Sequence, residues 1–186
     1  MVDDTVFWLQ VGKPAVRGGS SEPARDLADA AQLIFPMEAE HAFLGWNQAF
    51  IKLSYKYDIS VMVDTLLPLL SSLTGEPSGV ELASFGSDTF HTDWDITWDT
   101  DRIAIRARWH SVVGDIDWVR RRCDRLVMDR LAFLAEWKEL LLVLRSAVAE
   151  SGIVIGAGSE DLATIDRIVS AIPGRGRFYG GRRSPE

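Results

Sequence analysis

Little in this chain of 186 residues points to a reaction. It has one cysteine, Cys123, and three histidines, His41, His91 and His110. The lone thiol excludes an internal disulfide and suits a reducing compartment. No run reaches the roughly 18 apolar residues that a membrane span needs. Met1 is followed by two aspartates, not by a basic start and an apolar core, so no secretory leader is read. The serines lack a Gly-x-Ser-x-Gly elbow, and no Gly-Lys-Ser closes a glycine loop. These absences predict a cytoplasmic protein without a membrane segment. They also leave no grouping of nucleophile, base and orienting residue on which catalysis could be built.

What is present is the composition of a globular protein, 47% hydrophobic and 25% charged, long enough to bury a core without metals or disulfides. The net charge of −7 is uneven. Residues 1–100 hold 15 acidic and 5 basic side chains, residues 101–174 hold 11 of each, and residues 175–186 hold 4 basic and 1 acidic. An acidic body repels nucleic-acid phosphates and attracts basic proteins. We expect a single α+β domain over 1–174 and a basic, disordered tail over 175–186.

The strongest pattern is FHTDWDITWDTDRIAIRARWHSV, residues 90–112. Two alternating runs joined by Asp99, Thr100, Asp101 and Arg102 predict a β-hairpin. Trp94, Ile96, Trp98, Ile103, Ile105, Ala107 and Trp109 share one face, which has to be buried. If Asp99 opposes Arg102, then Asp95 opposes Arg106, Asp93 opposes Arg108 and His91 opposes His110, which makes the other face a charge ladder.

Around it, Thr5 to Val11 reads as a strand, and Ala24 to Phe35 as a helix stopped by Pro36. Met37 to Trp46 stays ambiguous between helix and strand. Ala49 to Ile59 alternates as one strand, and Ser60 caps a helix to about Leu73 that Pro68 should bend or end. Val80 to Phe85 reads as a short strand. Apolar residues at steps of three and four from Val119 to Val148 predict one long helix over about 118–150, the natural cover for the tryptophan face. Glu160 to Ile172 is a last helix. An antiparallel sheet built around the 90–112 hairpin, covered on one face by the long helix and shorter helices, follows.

Candidate sites are few. Gly156, Ala157, Gly158 and Ser159 precede a helix as a phosphate loop would, but Glu160 and Asp161 repel phosphate, and a flexible capped turn explains them. His91 and His110, with Asp93 or Asp95 nearby, could approach one metal. Neighbouring arginines weigh against a cation there, so no metal or other cofactor is expected. Cys123 reads as a small core residue. Asp93, Asp95 and Asp99 could serve acid–base chemistry, but the arginines opposite would hold them ionised. Arg120, Arg121, Arg122 and Arg125 are neutralised by nearby aspartates, so no nucleic-acid site is read there. Of the seven tryptophans, Trp8, Trp46 and Trp118 are the ones not assigned inward; any that proves exposed would be a binding anchor.

The succession of FIKLSYKYDI, a capped leucine helix, a tryptophan hairpin and a late FLAEWKELL helix, over about residues 45–150, resembles small acidic immunity proteins of bacterial polymorphic toxin systems. The resemblance implies a non-catalytic cytoplasmic inhibitor that binds a cognate, basic toxin. The carboxylates of Asp93, Asp95, Asp99 and Asp101 are the expected partner-binding residues. A pocket between sheet and long helix would point instead to an enzyme or small-molecule binder, and a broad apolar patch to an adaptor in a larger assembly.

Overall fold

A computed structural model describes residues 6–18, 23–37, 40–114, 116–156 and 158–173. The fold is α+β, with two antiparallel sheets and five α-helices among these residues. The expected basic tail, 175–186, lies outside them.

The first sheet has the order β1-β2-β3, with β1 Phe7–Gln10, β2 His41–Trp46 and β3 Ala49–Ser54. The ambiguous segment before Trp46 thus ends as a strand. Asn47 sits at positive φ (54°) in the two-residue turn between β2 and β3, a conformation asparagine tolerates. The expected strand to Ile59 is cut short. Ser54 Oγ accepts the Tyr57 N–H at 3.3 Å and Asp58 accepts the Ser54 N–H at 2.7 Å. This reciprocal cap starts a π-helical turn at Tyr55–Ile59. Tyr55 and Ile59, four apart, are buried, while Tyr57 faces solvent. The turn runs directly into α2 (Ser60–Gly75), which passes through Pro68 without ending there. Before it, α1 covers Leu27–Ile34, with Asp26 as its N-cap.

The second sheet has the order β4-β5-β6-β7. β4 (Gly79–Gly86) flanks the predicted hairpin, β5 (Phe90–Trp98) and β6 (Arg102–Val112). The predicted register holds for Asp95↔Arg106 and Asp93↔Arg108. It slips at a bulge between His91 and Thr92, so His91 pairs with Ser111 and not with His110.

The single helix over 118–150 is not what forms. α3 (Ile116–Arg122) stops before Cys123; Arg125–Asp129 becomes β7, paired with β6; and α4 covers Arg130–Ser151. Asp129 caps α4 by accepting the Ala132 N–H at 2.7 Å. Val119, Cys123 and Leu126 are all buried as their spacing required, but on three separate pieces of backbone. α5 (Asp161–Ala171) follows, tied to α4 by Lys138 to the Ile172 carbonyl (2.6 Å) and Arg145 to Asp166 (3.2 Å).

The cover of the tryptophan face changes accordingly. Trp46, from the first sheet, inserts between Trp94 and Trp109, with ring centroids at 5.1 and 5.4 Å. Cys123 links the layers, its carbonyl accepting from Trp109 Nε1 at 2.8 Å and its thiol donating to the Trp46 carbonyl at 3.3 Å. The long helix instead packs Phe133 and Trp137 onto Phe7. One contiguous apolar cluster joins both sheets and all these helices. No helix among the described residues is long and apolar enough to cross a membrane.

Candidate functional site

Because alternate residues of a strand face opposite ways, burying the tryptophan face turns the ladder of β5 and β6 outward. Four strands hold it in fixed register. Asp93 sits at its centre, accepting from Ser84 Oγ on β4 at 2.7 Å and bonded to His110 Nε2 at 2.9 Å. These two hydrogen bonds, the Ser84 one first, hold its carboxyl below the usual aspartate range, with Arg108 adding a little. Arg108 reaches diagonally, 3.7 Å from Asp95 and 4.0 Å from Asp93. Asp95 thus pairs with Arg108, one step along from the Arg106 it opposes. Despite the bulge, the His91 and His110 rings lie 4.4 Å apart, centroid to centroid.

The other two candidate carboxylates are placed differently. Asp99 accepts the N–H groups of Asp101 (2.9 Å) and Arg102 (2.8 Å), which closes the hairpin turn and lowers its own pKa. Arg130 clamps that turn from α4, donating to the carbonyls of Glu76, Pro77 and Asp99 at 3.0, 3.1 and 2.9 Å. Asp101 is exposed at the tip. The structure therefore brings Asp93 and Asp95 together with His91, His110 and Arg108. It keeps Asp99 as a turn residue and leaves Asp101 apart. Ser84, which orients Asp93, carries no signal in the sequence, since only pairing with β4 brings it there. A hollow of about 450 Å³ next to Asp95 is bounded by Arg106, Asp124 and Arg125. Another, of about 320 Å³, lies between α4 and the Lys13–Val16 segment, not between sheet and helix.

The glycine turn has a structural use. Gly156 donates to the Ala24 carbonyl at 2.8 Å, and a β-carbon on it would come within 3.1 Å of the Arg25 carbonyl oxygen. Ser159 donates to Asp161, whose same oxygen accepts the Leu27 N–H at 2.9 Å. The carboxylate that would repel phosphate is docking α1.

The outward face of the first sheet holds what the ladder lacks. Trp8, Gly45 and Phe50 form one row across β1, β2 and β3. The Trp8 indole lies over Gly45, where a β-carbon would sit 2.1 Å from the ring, and meets Phe50 edge-on at 5.6 Å. Phe50 is 74% exposed, and Phe43 on the next row is also exposed. On the far side of the molecule's other sheet, edge residues Val80 and Leu82 are 81% and 62% exposed. Of the unassigned tryptophans, Trp46 is core and Trp8 lies in this row; the alternation of Thr5 to Val11 already set Trp8 opposite to Phe7 and Leu9. Alternation along Ala49 to Ser54 likewise sets Phe50 opposite the buried Ile51 and Leu53, on the outward face.

No protein-family model, curated protein or solved structure matches this chain.

Proposed function

We propose that this chain is a non-catalytic binding protein, of the kind that neutralises a toxin by occupying it, and that it docks its partner through the aromatic row of the first sheet. The carrying observation is Phe50, 74% exposed yet held edge-on by Trp8 over a glycine. A large apolar side chain exposed to water is a standing cost. An aromatic that is rigid before binding loses little conformational entropy on docking, which is how interface anchors work. The net charge of −7, concentrated in residues 1–100, favours a basic partner through faster, salt-sensitive association. Asp93 and Asp95 on the other sheet, with Asp101 at its hairpin turn, are the contact surface of the alternative arrangement, in which the ladder meets the partner.

Co-expression tests both the function and the face. The reading expects the gene next to this chain's own to encode a toxic, basic protein, and cells making that product should grow only when the chain is present. Phe50→Asp should abolish that protection while the protein stays folded; Asp95→Lys combined with Asp101→Lys should leave it intact. Protection lost only with the lysine variants would move docking to the ladder. Absence of protection by the wild-type chain would reject the function itself.

A further inference from the structure

The polar end of the ladder collects three metal-ligating groups from two strands, and their arrangement goes beyond salt bridging. Nitrogens of His91 and His110 and an oxygen of Asp93 all lie within 4.8 Å of one another. We propose that His91, Asp93 and His110 bind a divalent transition-metal ion of the zinc class, independently of where a protein partner docks.

Two imidazoles and one carboxylate form a borderline-soft donor set, suited to zinc, nickel or copper and poorly matched to magnesium or calcium, which take oxygens. With bonds of about 2.0–2.2 Å at tetrahedral angles, donors of one zinc ion lie about 3.3–3.6 Å apart. His110 Nε2 and Asp93 Oδ2, at 2.9 Å, already lie within that distance. The widest separation, within 4.8 Å, has about 1–1.5 Å to close, which rotation of a solvent-facing imidazole about its side-chain torsions supplies. The bulge leaves His110 as the extra residue on β6, between Trp109 and Ser111, and bulges commonly re-aim the side chain they carry. The His91 and His110 rings lie 4.4 Å apart, centroid to centroid, and His110 Nε2 is bonded to Asp93.

Support from behind the site is also present. Ser84 donates to Asp93 Oδ1, which leaves Oδ2 turned towards the imidazoles, an outer-shell arrangement typical of built metal sites. The opposing influence is Arg108, 4.0 Å from Asp93 Oδ2. It has an alternative partner in Asp95 at 3.7 Å, so an ion displaces it along the strand without leaving it unpaired. Both histidines are exposed, so three protein ligands leave the remaining coordination positions open to water.

The test uses the untagged full chain, stripped with a chelator and titrated with zinc chloride at neutral pH in a calorimeter. One ion per chain is expected. His91→Ala, His110→Ala and Asp93→Asn should each weaken binding at least about tenfold, and Ser84→Ala should weaken it less. Nitrogen-15 spectra of the imidazoles supply a second readout: zinc should shift His91 and His110 and leave His41 in place. His91→Gln and His110→Gln, which keep polar bulk, guard against a folding defect. Lack of saturable binding, undiminished binding by both alanine variants, or a shift confined to His41 would each overturn the proposal.

Discussion

The indole of Trp98 lies directly against Gly79 on the neighbouring strand, so close that a β-carbon there would sit 2.3 Å from the ring. The two residues are register partners, and Trp98 Nε1 also donates to the Glu76 carbonyl at 3.3 Å. A tryptophan that is only 6% exposed at a sheet corner is thus buried by the absence of a side chain opposite. Gly79→Ala should lower stability by about 1–3 kcal/mol through overpacking, and Trp98→Ala by about 3–5 kcal/mol. In a double-mutant cycle by urea denaturation, Gly79→Ala should cost far less when Trp98 is already alanine. Additive losses would contradict the contact.

Trp46 is the joint between the two sheets. Trp46→Ala removes the ring that Trp94 and Trp109 share and should cost about 3–5 kcal/mol, measured from the denaturation midpoint. Because Trp46 comes from the first sheet, its loss should also accelerate amide hydrogen exchange in β5 and β6. Exchange changes limited to β1–β3 would show that the sheets are stabilised separately.

These two tryptophans also show how far the sequence could be read. Strict alternation over Phe90 to Val112 carried the hairpin, its buried face and most of its register, because a one-residue slip would expose Trp94, Ile96 and Trp98. The bulge that leaves His110 without a register partner escaped that alternation, since only Ser111 and Val112 of β6 follow it, too few to show a change of phase. The helix over 118–150 misled because Val119, Cys123 and Leu126 also satisfy helical spacing, and a five-residue strand such as Arg125–Asp129 is too short for periodicity to separate. Trp46 and Ser84 were beyond reach for a different reason. Their roles depend on which strand lies beside which, and spacing along a chain says nothing about that.

Acidification should report on Asp93. Its folded pKa lies below the ordinary aspartate value, first because of Ser84 and then His110. A group lowered on folding stabilises the protein above the unfolded aspartate range, about pH 4, and that contribution disappears as the pH falls through the lower folded value. Wild-type stability should therefore decline more steeply below about pH 4 than that of Asp93→Asn, in denaturation midpoints taken across the acid range. Parallel profiles would show that the Ser84 and His110 bonds do not favour the charged form.

Cys123 should be inert while the protein is folded. Burial pushes its thiol up to about 11, and its hydrogen points at the Trp46 carbonyl. A thiol-specific chromogenic reagent at pH 8 should label one thiol per chain in denaturant and almost none without it. Rapid labelling of the folded chain would mean that the layer between Trp46 and Trp109 opens readily.

Docking through the aromatic row of the first sheet, as proposed above, makes Phe50 the anchor. The affinities of wild type and Phe50→Ala for the partner that co-expression identifies, measured by calorimetry, test it directly. Removal of an anchor worth about 2 kcal/mol or more corresponds to a roughly thirtyfold or greater loss of affinity. Since Phe50 is exposed, the melting temperature should hardly change. Equal affinities for the two proteins would contradict the account.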